Sequence, residues 1–146
     1  MAKFGEWEFT CDRQATVDAY ARQVAGGSDT CACIWCRNFR LARDQVYSPA
    51  FLAFLDSVGI DPKKDAEIYH NGEIEPGKHH YGGWFHFVGS LEKTGDFPMV
   101  EMVPGFKVSL CRKCAPELSG LKGLALVQVE FQAEGAPWDL DEASPR

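Results

Sequence analysis

Two pairs of cysteines have the spacing of metal ligands. Cys33 and Cys36 form one C-x-x-C pair, and Cys111 and Cys114 form the other. This spacing lets both sulfurs of a tight turn face one ion, and two such turns supply the four thiolates of a closed, tetrahedral zinc site. The sequence therefore predicts one structural zinc ion per chain, bound by Cys33, Cys36, Cys111 and Cys114.

The separation of the two pairs leaves other arrangements open. A stretch of 74 residues lies between Cys36 and Cys111, so the fold has to bring the pairs together. Because C-x-C-x-x-C supplies three ligands from one loop, Cys31 is able to replace one member of the later pair. A further alternative is that the thiols are simply buried, since cysteine is among the most buried residue types. We interpret Cys11 as a core residue of this kind.

A C-x-x-C pair also suits dithiol redox chemistry, which would make the protein an enzyme. Reactive dithiols place a cysteine of low pKa at the N-terminus of a helix that follows a strand, near a βαβ pattern. Cys36 precedes a predicted helix, but no strand of parallel-sheet character leads into Cys33. The dithiol is therefore the alternative to the metal site.

Four histidines lie within seventeen residues: His70, His79, His80 and His86. Their imidazoles titrate near neutral pH and suit general-base chemistry. They match no H-E-x-x-H or comparable pattern, so we interpret them as structural. His86 is the exception, because it lies on a predicted central strand, where a buried imidazole needs a hydrogen-bond partner. With nearby carboxylates it is the alternative centre of an enzyme site.

The residues beside the first cysteine pair have the composition of a protein interface. Tryptophan and arginine dominate interface hot spots, and Trp35, Arg37 and Arg40 adjoin the cysteine turn. We expect Trp35 at the tip of this turn and the arginines exposed beside it. The alternative is that Trp35 covers the turn and the arginines pair with acids such as Asp44.

Apolar periodicity predicts helices in the first half of the chain and strands mainly in the second. Helices are indicated over residues 17–24, 37–43 and 49–58, the last capped by Ser48 and Gly59. Strands are predicted over residues 4–11, on either side of an Asn71-Gly72 hairpin turn, over 83–89, on either side of Pro104-Gly105, and over 127–133. The predicted fold class is α+β, with a mostly antiparallel sheet and helices mainly from the N-terminal half.

The predicted core consists of large apolar residues from these elements: Trp7, Phe9, Phe51, Leu55, Phe85, Phe87, Val127, Val129 and Phe131. We expect residues 83–89 to form a central strand paired on both sides. One α+β domain is predicted over residues 1–138. An acidic, flexible tail is predicted over residues 139–146, where little apolar surface is available to bury.

Length and composition are those of an ordinary globular domain. The chain has 146 residues, of which 45% are hydrophobic and 25% charged, enough for a core without cross-links. A formal net charge of −6 argues against a nucleic-acid partner. The sequence has no apolar run of the length of a signal peptide or a membrane span. We therefore expect a cytoplasmic protein with no membrane partner, in which persistent disulfides are rare.

Four segments of the chain form a recognisable pattern: CxCxxCRNF from Cys31, GIDP from Gly59, YGGWFHFVG from Tyr81, and Pro137-Trp138. In these segments the chain resembles a family of small, uncharacterised bacterial proteins. The resemblance covers most of residues 31–138 and implies one compact bacterial domain. It implies no activity.

Together these observations predict a zinc-stabilised, non-enzymatic module that binds another protein. The alternative, from a different class, is an enzyme that uses a C-x-x-C dithiol or a site centred on His86. An enzyme would place His86 or a cysteine pair at a concave, accessible surface. The geometry around these residues therefore separates the two hypotheses.

Overall fold

The computed structural model describes residues 1–93 and 95–145. Within them, a seven-stranded antiparallel sheet is formed by β1 (Ala2–Phe4), β2 (Trp7–Cys11), β3 (Glu67–Glu75), β4 (Lys78–Lys93), β5 (Val100–Val103), β6 (Phe106–Arg112) and β7 (Leu126–Pro137). The helices are α1 (Arg13–Arg22), the single turn α2 (Gly27–Thr30), α3 (Ile34–Val46) and α4 (Pro49–Val58), with a short 3-10 helix at Ser119–Leu121. The predicted α+β class is confirmed.

The long strand β4 organises the sheet, whose order is β1-β2-β4-β7-β6-β5. One edge of β4 pairs with β7, and the other pairs first with β3 and then with β2. Between β3 and β2, helix α1 supplies the hydrogen bonds. The Tyr20 hydroxyl donates to the carbonyl of His86 at 2.8 Å, and Thr16 Oγ1 accepts from the amide of Val88 at 2.9 Å. The predicted central strand is therefore paired with other strands on both sides over only part of its length.

The core lies between the helices and one face of the sheet. All nine residues predicted for it are buried. Phe51 of α4 contacts Phe106 and Phe131 of the sheet, with ring centroids 5.0 and 5.6 Å away. Residues that alternate along a strand face opposite sides of the sheet. Phe85 and Phe87 therefore face the helices, and their neighbours on β4 face the other side.

Helix α4 begins and ends at the predicted caps. Ser48 Oγ accepts from the amide of Phe51 at 3.1 Å, and Pro49 occupies the first turn. At the other end Gly59 has a φ of 85°, a left-handed conformation that glycine adopts without strain. The amide of Ile60 then donates to the carbonyl of Leu55 at 2.9 Å. This arrangement satisfies the final carbonyls of the helix.

The predicted hairpin turn at Asn71-Gly72 is wrong. Strand β3 continues through these residues to Glu75, and the register shift between His70 and Gly72 is a bulge. The chain turns instead at Pro76-Gly77, where Gly77 has a φ of 78°. Proline followed by glycine fits the two central positions of a type II turn. The bulge accommodates the positive φ of Gly72, so no reversal is needed there.

The residues after Trp138 contact α3. The amides of Asp139 and Leu140 donate to Asn38 Oδ1 at 2.7 and 3.3 Å. Arg37 forms a bidentate ion pair with Glu142, with the closest N–O distance 2.9 Å. The domain boundary at residue 138 and the flexibility of the tail stay predictions. The last residue of that tail, Arg146, lies outside the described residues.

The helices are short. The longest of them, α3, has 13 residues, and no helix in the described part of the chain is long and apolar enough to cross a membrane.

We expect Phe87→Ala to lower the free energy of unfolding by about 3–5 kcal/mol, as for other emptied core aromatic sites. Phe87 is fully buried, and its ring centroid lies 5.3 Å from that of Phe9. Urea denaturation measures the change. The control is Val24→Ala at a site that is 93% exposed, which should change the free energy by less than about 0.5 kcal/mol. Equal stability of the two variants would show that Phe87 is not a core residue.

Candidate metal centre

Cys31, Cys33 and Cys36 converge at the start of α3. Their three sulfur atoms lie within 4.8 Å of one another. In a tetrahedral zinc–thiolate site with bonds of about 2.3 Å, neighbouring sulfurs are about 3.8 Å apart. Because the three sulfurs are already close to this spacing, the group is able to hold a metal ion with small side-chain movements. This group is called the first thiol group below.

The N-terminus of α3 builds the first thiol group. Cys33 is the N-cap residue, and its sulfur accepts from the amide of Cys36 at 3.4 Å. The first amides of a helix have no partners within the helix, and a thiolate is able to accept from them. One turn of helix then brings Cys36 back beside Cys33. The C-x-x-C spacing therefore closes the turn through the ordinary geometry of a helix start.

Arg40 holds the preceding loop against the helix. Its guanidinium donates to the carbonyl of Cys31 at 2.9 Å and also to the carbonyl of Ser28. Both bonds fix the position of Cys31 relative to Cys33 and Cys36. Arg40 is half-buried in this role. It is therefore part of the support for the thiol group, and the expectation that it is exposed beside the turn is wrong.

A buried carboxylate fixes the other end of that loop. Asp65 is fully buried and accepts from the amide and the hydroxyl of Ser28 at 3.0 and 2.6 Å. Burial raises the pKa of Asp65, although the Ser28 bonds act in the opposite direction. Gly27 packs so tightly that a Cβ there would lie 2.4 Å from the carbonyl oxygen of Ala66. The loop that leads to Cys33 is therefore held at both of its ends, at Ser28 and at Cys31.

Trp35 packs against the sheet. Its ring stacks on His70 with centroids 3.8 Å apart and planes 8° from parallel. The hydroxyl of Tyr81 donates to the Trp35 carbonyl at 2.9 Å. Since Trp35 is half-buried, the expectation of an exposed tryptophan at the tip of the turn is wrong. A packed Trp35 agrees with the alternative interpretation, but the acid that pairs with Arg37 is Glu142 and not Asp44.

The three thiols differ in exposure and in acidity. Cys33 is exposed, Cys31 is half-buried and Cys36 is buried. Burial opposes ionisation of Cys33, but hydrogen bonds from the backbone of Cys36 and from the thiols of Cys31 and Cys36 lower its pKa. Burial raises the pKa of Cys36, and its hydrogen bonds to the neighbouring thiols raise it further. Without an ion, Cys33 therefore ionises more readily than Cys36.

Cys111 and Cys114 form a second thiol group together with Glu130. Their ligand atoms also lie within 4.8 Å of one another. Among the described residues, no cluster at this spacing joins Cys33 or Cys36 to Cys111 or Cys114. The structure thus brings the members of each C-x-x-C pair together and places the pairs in two separate groups. A single ion shared by all four cysteines stays a prediction from the sequence.

His86 is fully buried on the face of the sheet opposite the helices. Its Nε2 lies 3.0 Å from Gln128 Oε1, so the expected hydrogen-bond partner is present. Nδ1 has no partner among residues 1–93 and 95–145. Burial lowers the pKa of His86 and favours the neutral imidazole. An enzyme site would need this residue at an accessible surface, and it is fully enclosed.

Sequence reasoning missed the polar residues that support the two groups. Glu130 and Gln128 occupy the polar phase of an alternating strand, a pattern that predicts solvent-exposed side chains, yet Gln128 is fully buried. His70 and His79 form a pair with Nε2 and Nδ1 2.8 Å apart. Burial and the neighbouring His79 lower the pKa of His70 to about 4. The only signal for this pair was the local density of histidines.

A cavity of about 330 Å³ lies beside the first thiol group. Cys31 and Cys36 line one side, and Glu67, Trp84 and Glu117 are among the residues that line the rest. Two cysteines of the first thiol group therefore border a space large enough for a side chain or a small molecule.

Comparisons of the chain with protein-family models, with curated proteins and with solved structures found no match. The resemblance to small bacterial proteins therefore stays a prediction.

In metal-free protein, we expect iodoacetamide to modify Cys33 faster than Cys36 or Cys111. Cys33 is exposed and its pKa is lowered, whereas burial raises the pKa of Cys36 and raises that of Cys111 to about 12. The thiolate is the reactive form, so the Cys33 rate should reach its plateau at a lower pH than that of an ordinary cysteine.

Mass spectrometry of peptides after timed alkylation measures the three rates. Protein unfolded in urea is the control, because the three rates should converge once burial and the helix are lost. Equal rates in the folded protein would contradict the assignment of Cys33 as the most acidic thiol of the three.

Proposed function

We propose that the protein is a zinc-stabilised, non-enzymatic module that binds another protein, with the zinc ion held by Cys31, Cys33 and Cys36. The observation that carries the proposal is the convergence of three sulfurs on a loop fixed at both ends. A loop held by Arg40 and Asp65 loses little further freedom when an ion binds. This is the arrangement in which Cys31 supplies the third ligand from the same loop.

The ligand chemistry favours zinc. Thiolates select soft or borderline ions such as Zn²⁺, Cu⁺ and iron–sulfur clusters. Among these, Zn²⁺ has no preferred geometry of its own and accepts the tetrahedral sulfur spacing. Binding requires all three cysteines as thiolates, so the ion displaces the protons of the thiols that it binds.

Three protein ligands leave the fourth position of a tetrahedral ion open. Cys33 is the exposed member of the group, so this open position is accessible from solvent. In the proposal, a donor atom of the partner protein occupies it. Such a contact makes binding depend on the metal, and it needs no catalytic residue.

We expect purified protein to bind zinc at the first thiol group, and Cys31→Ser and Cys33→Ser each to weaken that binding at least tenfold. A serine hydroxyl is a much poorer zinc ligand than a thiolate. Elemental analysis and titration with zinc in a competing chelator measure the stoichiometry and the affinity. Zinc at about 100 times its dissociation constant should stabilise the fold by about 2.7 kcal/mol, and thermal melting with and without chelator checks this.

The matched control is Cys11→Ser. Cys11 is half-buried and its thiol contacts the carbonyl of Val58 at 3.6 Å, so it lies outside both thiol groups and zinc binding should be unchanged. The open position is tested on wild-type protein loaded with Co²⁺. The visible absorption spectrum of the bound Co²⁺ should change when imidazole is added. Unchanged zinc affinity in Cys31→Ser and Cys33→Ser, or a spectrum insensitive to imidazole, would contradict the proposal.

A second candidate function is thiol–disulfide exchange at Cys33 and Cys36. The observation that favours it is the position of the two sulfurs, with an exposed cysteine at the N-cap of a 13-residue helix and a buried cysteine one turn later. The N-terminal amides of a helix stabilise an anion. In this candidate function, Cys33 is the attacking thiol and Cys36 is the resolving thiol.

The exchange reaction needs a substrate disulfide as its second reactant, which is the oxidant. The Cys33 thiolate attacks one sulfur of the substrate disulfide, a mixed disulfide forms, and one substrate thiolate leaves and takes a proton from water. Cys36 then loses its proton and attacks the Cys33 sulfur, which releases the second substrate thiol. Two electrons pass from the Cys33–Cys36 pair to the substrate, and an intramolecular disulfide remains.

With glutathione disulfide as the probe, we expect wild-type protein to form the Cys33–Cys36 disulfide. Cys36→Ser should stop at the mixed disulfide on Cys33, because the resolving thiol is missing. The intact mass after quenching in acid distinguishes the reduced protein, the mixed disulfide with glutathione and the intramolecular disulfide. A wild-type rate no faster than that of Cys33→Ser would contradict this function.

Cys31→Ser separates the two candidate functions. The metal site requires the third thiolate, whereas exchange needs only Cys33 and Cys36. A serine hydroxyl is still able to donate a hydrogen bond to the Cys33 thiolate. The variant should therefore lose the zinc ion of the first thiol group and retain exchange if both candidates hold.

A further inference from the structure

We propose that Cys111, Cys114 and Glu130 form a second metal site, separate from the first thiol group, that binds its own zinc-like divalent cation. The site is built from the end of β6, the turn that follows it, and the neighbouring strand β7. With the first thiol group, this site brings the expected number of ions to two per chain, whereas the sequence alone predicts one.

The sheet register places the three ligands together. Cys111 is paired with Gln128, so both side chains lie on the same face of the sheet. Glu130 lies two residues further along β7 and shares that face. Strand β6 ends at Arg112, and the turn that follows brings Cys114 over Cys111. The sulfur atoms and a carboxylate oxygen then lie within 4.8 Å of one another.

Gln128 holds the cysteine turn on the sheet. Its side-chain oxygen accepts from the amides of Cys114 and Ala115 at 3.1 and 3.0 Å. The same oxygen lies 3.0 Å from Nε2 of His86, which donates in the tautomer that this contact requires. Because Gln128 and His86 are both fully buried, the anchor of the turn is protected from water. The backbone that carries Cys114 is therefore fixed before any ion arrives.

The side-chain amide group of Gln128 also orients two of the ligands. Gln128 Nε2 donates to Glu130 Oε1 at 2.7 Å and contacts the sulfur of Cys114 at 3.6 Å. Hydrogen bonds of this kind to ligand atoms are typical of metal sites, where they fix the direction in which each ligand points. A buried glutamine that contacts a thiol and a carboxylate at once therefore supports a metal site.

The donor atoms of the group suit a divalent cation. Two sulfurs and a carboxylate oxygen lie within 4.8 Å of one another, and each is able to donate an electron pair to one shared ion. Two sulfurs and one oxygen suit a borderline ion such as zinc. Cys114 is exposed, which gives the ion a route from solvent and leaves one position open.

Zinc titration of the full chain tests the proposal through stoichiometry. We expect the wild-type protein to bind two zinc ions, and Cys111→Ser/Cys114→Ser to bind one. Cys31→Ser/Cys33→Ser should also bind one. Elemental analysis after gel filtration counts the ions, and circular dichroism checks that each variant is folded.

The possible outcomes separate this site from the first one. One ion in the wild type, lost only in Cys31→Ser/Cys33→Ser, would overturn the second site and leave the proposed function standing. One ion lost only in Cys111→Ser/Cys114→Ser would support the second site and overturn the first. One ion lost in both variants would support a single four-cysteine site and overturn the second site as a separate one.

The conservative variant Glu130→Gln tests the oxygen ligand without removing a cysteine. It keeps an oxygen to accept from Gln128 but removes the charge, and we expect the affinity of the second ion to fall at least tenfold. Glu134→Gln is the matched control, because Glu134 is exposed on the same strand and lies outside the group. Equal affinities in the two variants would overturn the role of Glu130 as a ligand.

Discussion

The pairing of β4 with β7 is the interaction on which the rest of the protein depends. It aligns Phe85 with Val129 and Trp84 with Glu130, so that alternate pairs face opposite sides of the sheet. One side carries the aromatic core against the helices. The other carries a polar layer that includes Gln128, buried by the segment after β6. A shift of one residue in this register would exchange the two sides, and both the core and the second thiol group would be lost.

The two thiol groups depend on this sheet to different degrees. Cys33 and Cys36 approach each other through the first turn of α3, and the sheet contributes mainly the surface on which Trp35 packs. Cys111 meets Glu130 only because β6 and β7 are in register. The sulfur spacing of the first group is therefore set mainly by local chain geometry, with the distant Asp65 anchoring its loop, and the second group is set by tertiary structure. In both groups, hydrogen bonds hold the backbone of the cysteines in place without a bound ligand.

Strong local signals account for what the sequence predicted correctly. Ser48 and Gly59 defined α4 because capping chemistry acts within a few residues, and the alternation along β7 identified a strand. The prediction of a turn at Asn71-Gly72 is wrong because the chain turns at Pro76-Gly77, only a few residues later. The sequence does not predict Glu130 as a ligand, because polar residues that alternate with apolar ones along a strand are expected to contact solvent. Which face a loop covers is set by tertiary structure, and that information is absent from local periodicity.

The spacing of the ligands along the chain has a consequence for biosynthesis. The first thiol group spans Cys31 to Cys36, so its three thiols leave the ribosome almost together and long before Glu130. The second group cannot close until Glu130 has emerged and β6 has paired with β7, because closing a longer loop requires the strands to assemble. The two proposed ions would thus be acquired in the order of translation, the first when β1 and β2 are the strands of the sheet already synthesised.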